Sequence, residues 1–262
     1  MNIIRHEFKS NLKSLIIWFL SLGLLFFVAS FEFEIFQNDP DINGIFDSFG
    51  GLFDAIGGIP DLTTAVGYLS LVSIYIYVPL CIFSAMLGSG IISKEEKNRT
   101  AEYLFTLPVS RTKVIFSKLI VAITNTVLIN VLCMGVCWAS FGVLSDSPET
   151  FRTFLLNLSL GVLLTQLIFL SIGMVLASFL KNYKRSGGII VGIVIGSFMV
   201  SMLVGLADAA KPLKYITPFQ YFPAAEMVNG NFDILYVIIT IAVIVSSFTG
   251  LFIFYRKRDL NI

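Results

Sequence analysis

The strongest constraint on this chain is a set of apolar runs, each long enough to cross a bilayer. A spanning helix takes roughly 17–25 mainly apolar residues, and the runs at residues 16–33, 64–92, 114–143, 154–180, 188–206 and 234–255 all meet that length. The runs are continuous rather than alternating, so a transmembrane β-barrel is excluded. Only 13% of the 262 residues are charged, far fewer than in a soluble domain. The expected fold is all-α and polytopic. One transmembrane domain covers residues 1–262, with six spans.

The first 15 residues differ from the runs that follow. At about 100° per residue, Ile4, Phe8, Leu12 and Leu15 fall on one stripe, and Arg5, Lys9 and Lys13 form another beside it. This pattern predicts an interfacial helix over residues 1–15, with its apolar side in lipid and its cations at the headgroups. A signal peptide is set aside, because the next run is long and has no clear small-residue cleavage site.

Six spans put both termini on one side, and the cations decide which. Fifteen Lys or Arg residues fall on the terminal side, and only Arg152, Lys211 and Lys214 fall on the other. Cytoplasmic loops carry the excess of Lys and Arg, so both termini are expected in the cytoplasm of a cell-membrane protein. The first outer segment, residues 35–61, has Ile42, Ile45, Phe46, Phe49, Phe53 and Ile56 at helical spacing. It reads as an amphipathic helix, either packed at the interface or serving as a lid. The last outer segment, "DAAKPLKYITPFQYFPAAEMVNGNFD", is too polar to span and too apolar to float, and predicts a short re-entrant or interfacial hairpin.

No ionisable residue falls in the middle of a span, which argues against proton or sodium coupling. The uncharged polar residues Asn125, Asn130, Asn157, Thr165 and Gln166 read either as interhelical hydrogen bonds or as the lining of a pathway. Gly188, Gly192 and Gly196 recur every four residues, a pattern for close helix packing within the subunit or at a dimer seam. Pro79 removes a backbone donor to the Tyr75 carbonyl and predicts a kink in the middle of the second span. Cys81, Cys133 and Cys137 have neither metal-ligand nor disulfide spacing. The single histidine is His6, and the HExxH, GxSxG and GxxxxGK[ST] patterns are all missing. The chain is therefore expected neither to bind a metal, nor to be an enzyme, nor to hydrolyse ATP itself.

One charged island stands out between the second and third spans: "SKEEKNRTAEYLFTLPVSRTKV", residues 93–114. Helix formers dominate from Glu95 to Leu107, and Ala101, Leu104 and Phe105 make an apolar patch too small to bury itself. Pro108 stops that helix. Ser110 is placed to cap the third span, and Arg111, Lys113 and Lys118 are placed to anchor it at the headgroups.

The stretch from Glu95 to Arg111, with its Arg-Thr, Glu-Tyr-Leu and Pro-Val-Ser-Arg elements, resembles the cytoplasmic signature of type-2 ATP-binding-cassette (ABC) transporter permeases. Arg99 stands where many members have Gly, and Tyr103 where many have Leu. The N-terminal interfacial helix, the six spans and "ITPFQYF" before the last span extend the likeness over essentially the whole chain.

The resemblance implies a bacterial exporter permease subunit with an N-terminal elbow helix and a coupling helix in the 93–113 loop. Glu95, Arg99, Thr100, Glu102, Tyr103, Phe105 and Pro108 would then contact or orient a separate ATPase subunit, which holds the ATP and Mg²⁺; this chain carries no cofactor. The implied partners are that ATPase, a second permease copy or paralogue, and the lipid bilayer, but no nucleic acid. Asn125, Asn130, Asn157 and Gln166 would be candidates for the pathway. The greasy outer segments favour an amphipathic or hydrophobic cargo, such as an antimicrobial or toxin peptide or a drug. A membrane enzyme, or an immunity or regulatory protein that does not transport, stands as the alternative.

Overall fold

The computed structural model describes residues 3–38, 62–97, 110–145, 147–180, 183–206 and 208–257. Among them there is no strand, and six helices are long and apolar enough to cross a membrane. The helices are α1 (Ile3–Asn38), α2 (Ala65–Val72), α3 (Ile74–Lys97), α4 (Arg111–Phe141), α5 (Pro148–Phe179), α6 (Tyr183–Leu206), α7 (Ala224–Met227) and α8 (Ile234–Lys257). Two 3₁₀ segments, Asp208–Tyr215 and Pro218–Gln220, lie between α6 and α7. The protein is a multi-pass, all-α membrane protein.

The residues expected as an interfacial helix and as the first span are continuous in one helix, α1. Nothing in the sequence there stops a helix: Ser14, Leu15 and Ile16 offer neither glycine nor proline. The second span is interrupted, but at Ser73 rather than at Pro79, which lies inside α3. Proline crowds the turn before it and leaves a carbonyl without its donor, so the distortion appears upstream. There the Ser73 carbonyl accepts from both Ile76 (2.8 Å) and Tyr77 (2.9 Å), and the Ser73 hydroxyl donates to the Ser70 carbonyl at 2.6 Å.

The core forms around the crossing of α3 and α5, two helices whose backbones nearly touch. A Cβ at Gly88 would lie 2.4 Å from the Leu170 carbonyl oxygen, and one at Gly173 would lie 2.5 Å from that of Ala85. Only glycine permits this approach, and side chains on both helices then interdigitate around it. α4 packs against α1, α8 against α5 and α6 against α3. The rings of Phe33, Tyr68 and Phe141 pack at tilted angles near one end of the bundle, with centroids 5.3–5.9 Å apart. The start of α4 is capped as its sequence predicts: Ser110 Oγ accepts from the Lys113 amide.

The segment after α6 is a chain of short turns rather than a helical hairpin. Its later part is anchored on the bundle, with Thr217, Tyr221, Phe222 and Met227 buried. Tyr77 donates to the Phe222 carbonyl at 2.6 Å, Gln220 to the Ser201 carbonyl at 2.9 Å, and Asn157 to the Met227 carbonyl at 3.1 Å. Gly230 then turns with φ of 67°, a conformation that favours glycine.

Candidate functional site

The charged island of the sequence is rooted in the structure by two ion pairs. At the end of α3, Glu95 accepts a 2.6 Å hydrogen bond from the Lys118 ammonium on α4. Lys118 also donates to the Ile91 carbonyl on α3. One residue earlier on α3, Lys94 donates to Glu7 of α1 at 3.0 Å. Signs therefore alternate across three helices: Glu7, Lys94, Glu95, Lys118. Ser186 at the start of α6 adds a neutral tie, accepting from Ser89 at 3.0 Å.

This geometry revises one expectation. Lys118 does not reach for headgroups; it is fully buried. Glu95 is buried beside it, with its carboxylate turned towards Lys118. The physical reason is mutual: neither charge could be buried alone, and each satisfies the other. Arg99, Thr100, Glu102, Tyr103, Phe105 and Pro108 lie outside the described residues, as does all of the outer segment expected over residues 35–61 except 35–38, which continue α1.

The interior polar candidates divide. Asn130 donates to Gln166 Oε1 at 3.1 Å and accepts from Ser159 at 2.6 Å. Gln166 in turn donates to the Leu80 carbonyl and to Ser84, at 3.3 and 3.2 Å. Asn130 on α4 and Gln166 on α5 thus join α3 in one buried network, the interhelical arrangement that polar residues favour in lipid. Thr165 bonds back to the Gly161 carbonyl, and Asn157 holds the α7 segment. Asn125 donates to the Val121 carbonyl at 2.8 Å, while its Oδ1 has no partner among the described residues.

Gly188, Gly192 and Gly196 have open space where a Cβ would stand. They do not pack within the subunit, and the close approach occurs at Gly88 and Gly173 instead. Sequence spacing missed those two because the glycine pairs of these helices, Gly88 with Gly90 and Gly161 with Gly173, do not recur at the four-residue spacing of a packing face. Glu7, Ser84 and Ser159 were also missed. Each is an ordinary residue until its partner, distant in sequence, is brought to it.

Two concavities flank the bundle. One of about 320 Å³ lies between α1 and α3, with Ser10, Asn11, Ser14 and Lys94 among its polar lining and Trp18, Phe83 and Met86 among its apolar lining. The other, of about 350 Å³, lies between α3, α6 and the turns after α6.

Six helices long enough to span, a charged clamp between α1, α3 and α4, and a turn-rich segment packed against Tyr77 and Gly161 define a polytopic helical membrane protein. The model of the ABC-2 family transporter proteins matches residues 1–257, and the chain belongs to that family. It is the transmembrane subunit of an ABC transporter, and membership implies association with an ATP-binding subunit. No curated protein matches the chain.

Proposed function

We propose that the chain is the permease subunit of an exporter, moving an amphipathic or hydrophobic cargo on ATP hydrolysed by a separate subunit. The observation that supports this most is the clamp of Glu7, Lys94, Glu95 and Lys118. It ties α1, α3 and α4 together at the root of loop 98–109. A push on that loop would move three helices as one body instead of dissipating in independent hinges.

On this reading the loop is the coupling helix, and both termini lie in the cytoplasm. The 15-to-3 distribution of cations supports that orientation. Arg99, Thr100, Glu102, Tyr103 and Phe105 would contact the ATPase, which carries ATP and Mg²⁺, and Pro108 would set the loop's angle to α4. Gly188, Gly192 and Gly196, open within the subunit, would meet a second permease copy or a paralogue. An antimicrobial or toxin peptide, or a drug, is the class of cargo that the greasy outer segments suit.

Co-purification with the ATPase subunit tests the coupling role. The intact chain should retain it, and Glu102→Arg with Phe105→Asp should lose it; equal retention would sink the idea. Export requires that inactivating the ATPase abolish release of cargo. Unchanged release would favour a membrane enzyme or a non-transporting immunity protein.

A further inference from the structure

The cation-poor face of the protein has three Lys or Arg residues, Arg152, Lys211 and Lys214. Two of them, Lys211 and Lys214, line the single cavity of about 350 Å³ beside α6. Glu226 also lines it, so the charge of these three side chains sums to one positive. The volume falls at the small end of ligand sites, enough for one chain rather than a bulky solute.

The lining changes character along its length. Lys211 and Lys214 come just after α6 ends at Leu206. Along α6 the lining then runs from Gly205 back to Phe198, about 10 Å at 1.5 Å per residue. Val78, Phe198, Met202 and Phe219 make much of that wall apolar, while Ser201 and Gln220, which also line it, are tied to each other. The walls are fixed. Gln220 donates to both the carbonyl and the hydroxyl of Ser201, at 2.9 and 3.0 Å. The Phe219 ring sits 5.3 Å from Phe169 and 5.7 Å from Phe198.

Exposed large apolar side chains lie next in sequence to the lining: Leu206 at the end of α6, and Leu213 and Ile216 beside Lys214. Lys214 stands 5.2 Å from the centroid of Tyr215. The hydrogen bond it makes to the Tyr236 hydroxyl raises its pKa further, so it stays charged. Cations with aromatic rings at the edge of an apolar surface are the composition of a membrane interface.

We propose that this cavity holds one acyl chain of an anionic phospholipid from the adjoining leaflet, with the phosphate at Lys211 and Lys214. The apolar depth distinguishes the site from one for a free anion, and the positive balance from one for a cationic amphiphile. The assignment concerns binding, and stands or falls independently of cargo and of the direction of transport.

The test uses the full chain purified in neutral detergent, with phosphatidylglycerol or phosphatidylcholine of identical acyl chains, and retained lipid read by native mass spectrometry. Phosphatidylglycerol should be retained preferentially. Lys211→Gln with Lys214→Gln should weaken its retention by about thirtyfold, from roughly a few-fold per interfacial cation. Arg152→Gln should leave retention unchanged, and Lys211→Arg with Lys214→Arg should preserve it. Met202→Trp keeps both lysines but fills the apolar part, and should also reduce retention, which decides the matter if the double Gln variant fails to fold. Equal retention of the two lipids, or an equal loss in Arg152→Gln, would overturn the assignment. So would displacement of the lipid by inorganic phosphate combined with no effect of Met202→Trp, which would make this a simple anion site.

Discussion

The Lys118 ammonium and the Glu95 carboxylate meet at 2.6 Å across the base of the loop joining α3 to α4, and Lys118 has no exposed surface at all. Removing one partner leaves a buried charge uncompensated, which typically costs about 3–5 kcal/mol, whereas replacing both with apolar groups is often neutral. Lys118→Met should therefore lower thermal stability in detergent sharply, and Lys118→Met with Glu95→Leu should recover most of the loss. If the double variant is as unstable as the single one, the pair is not the source of the effect. For coupling, the recovered variant is the informative one. It should fold and bind the ATPase subunit, yet show weaker linkage between ATP hydrolysis and transport.

The α3–α5 crossing makes a second expectation. A methyl group at Gly88 would lie 2.4 Å from the Leu170 carbonyl, which is backbone and cannot rotate away. Gly88→Ala should force the helices apart and destabilise the protein by about 1–3 kcal/mol, the usual cost of overpacking. Gly192→Ala, with nothing within 4 Å of the new atom, should leave the stability of the single subunit unchanged. Its effect should appear only in the fraction of dimer, measured by crosslinking or light scattering.

The buried network of Asn130, Ser159, Gln166 and Ser84 separates packing from pathway. Interhelical hydrogen bonds in membranes average about 0.6 kcal/mol. Asn130→Leu should cost a small amount of stability, on the order of 1 kcal/mol, and leave the choice of cargo unaltered. A change in cargo selectivity without loss of stability would instead assign Asn130 to the pathway.

Cys81, Cys133 and Cys137 are all buried and free. The native protein should take up no maleimide, and denatured protein should take up three equivalents. That silence gives a clean background for topology. Cysteine introduced at Asn98 should resist an impermeant thiol reagent in intact cells and react once the membrane is opened. Labelling in intact cells would reverse the assigned orientation.

Much of this protein was legible in one dimension, because the bilayer imposes its own ruler. The length of an apolar run, the asymmetry of cations and the absence of breakers are local or additive properties. They yielded the all-α class and six helices long and apolar enough to span, and the Ser110 cap followed from Pro108 and the apolar run beyond. The continuity of α1 is readable in the same way: residues 14–16 contain no stop signal.

What the sequence could not determine is which residues meet. Glu95 and Lys118 stand 23 residues apart, and Gly88 and Leu170 belong to different spans. A glutamate near the end of a span has the same local signature whether it faces a partner protein or a lysine on the next helix. The choice rests on helix rotation about its axis, and rotation is set by packing against neighbours. At the α3–α5 crossing, glycines remove the side chains that would hold the helices apart, and that close contact fixes how both present their remaining faces. The same packing leaves Gly188, Gly192 and Gly196 open and gathers Lys211 and Lys214 around one cavity. Sequence determined that the chain crosses the membrane; tertiary contact decided which of its few charges are held inside and which line a cavity at the surface.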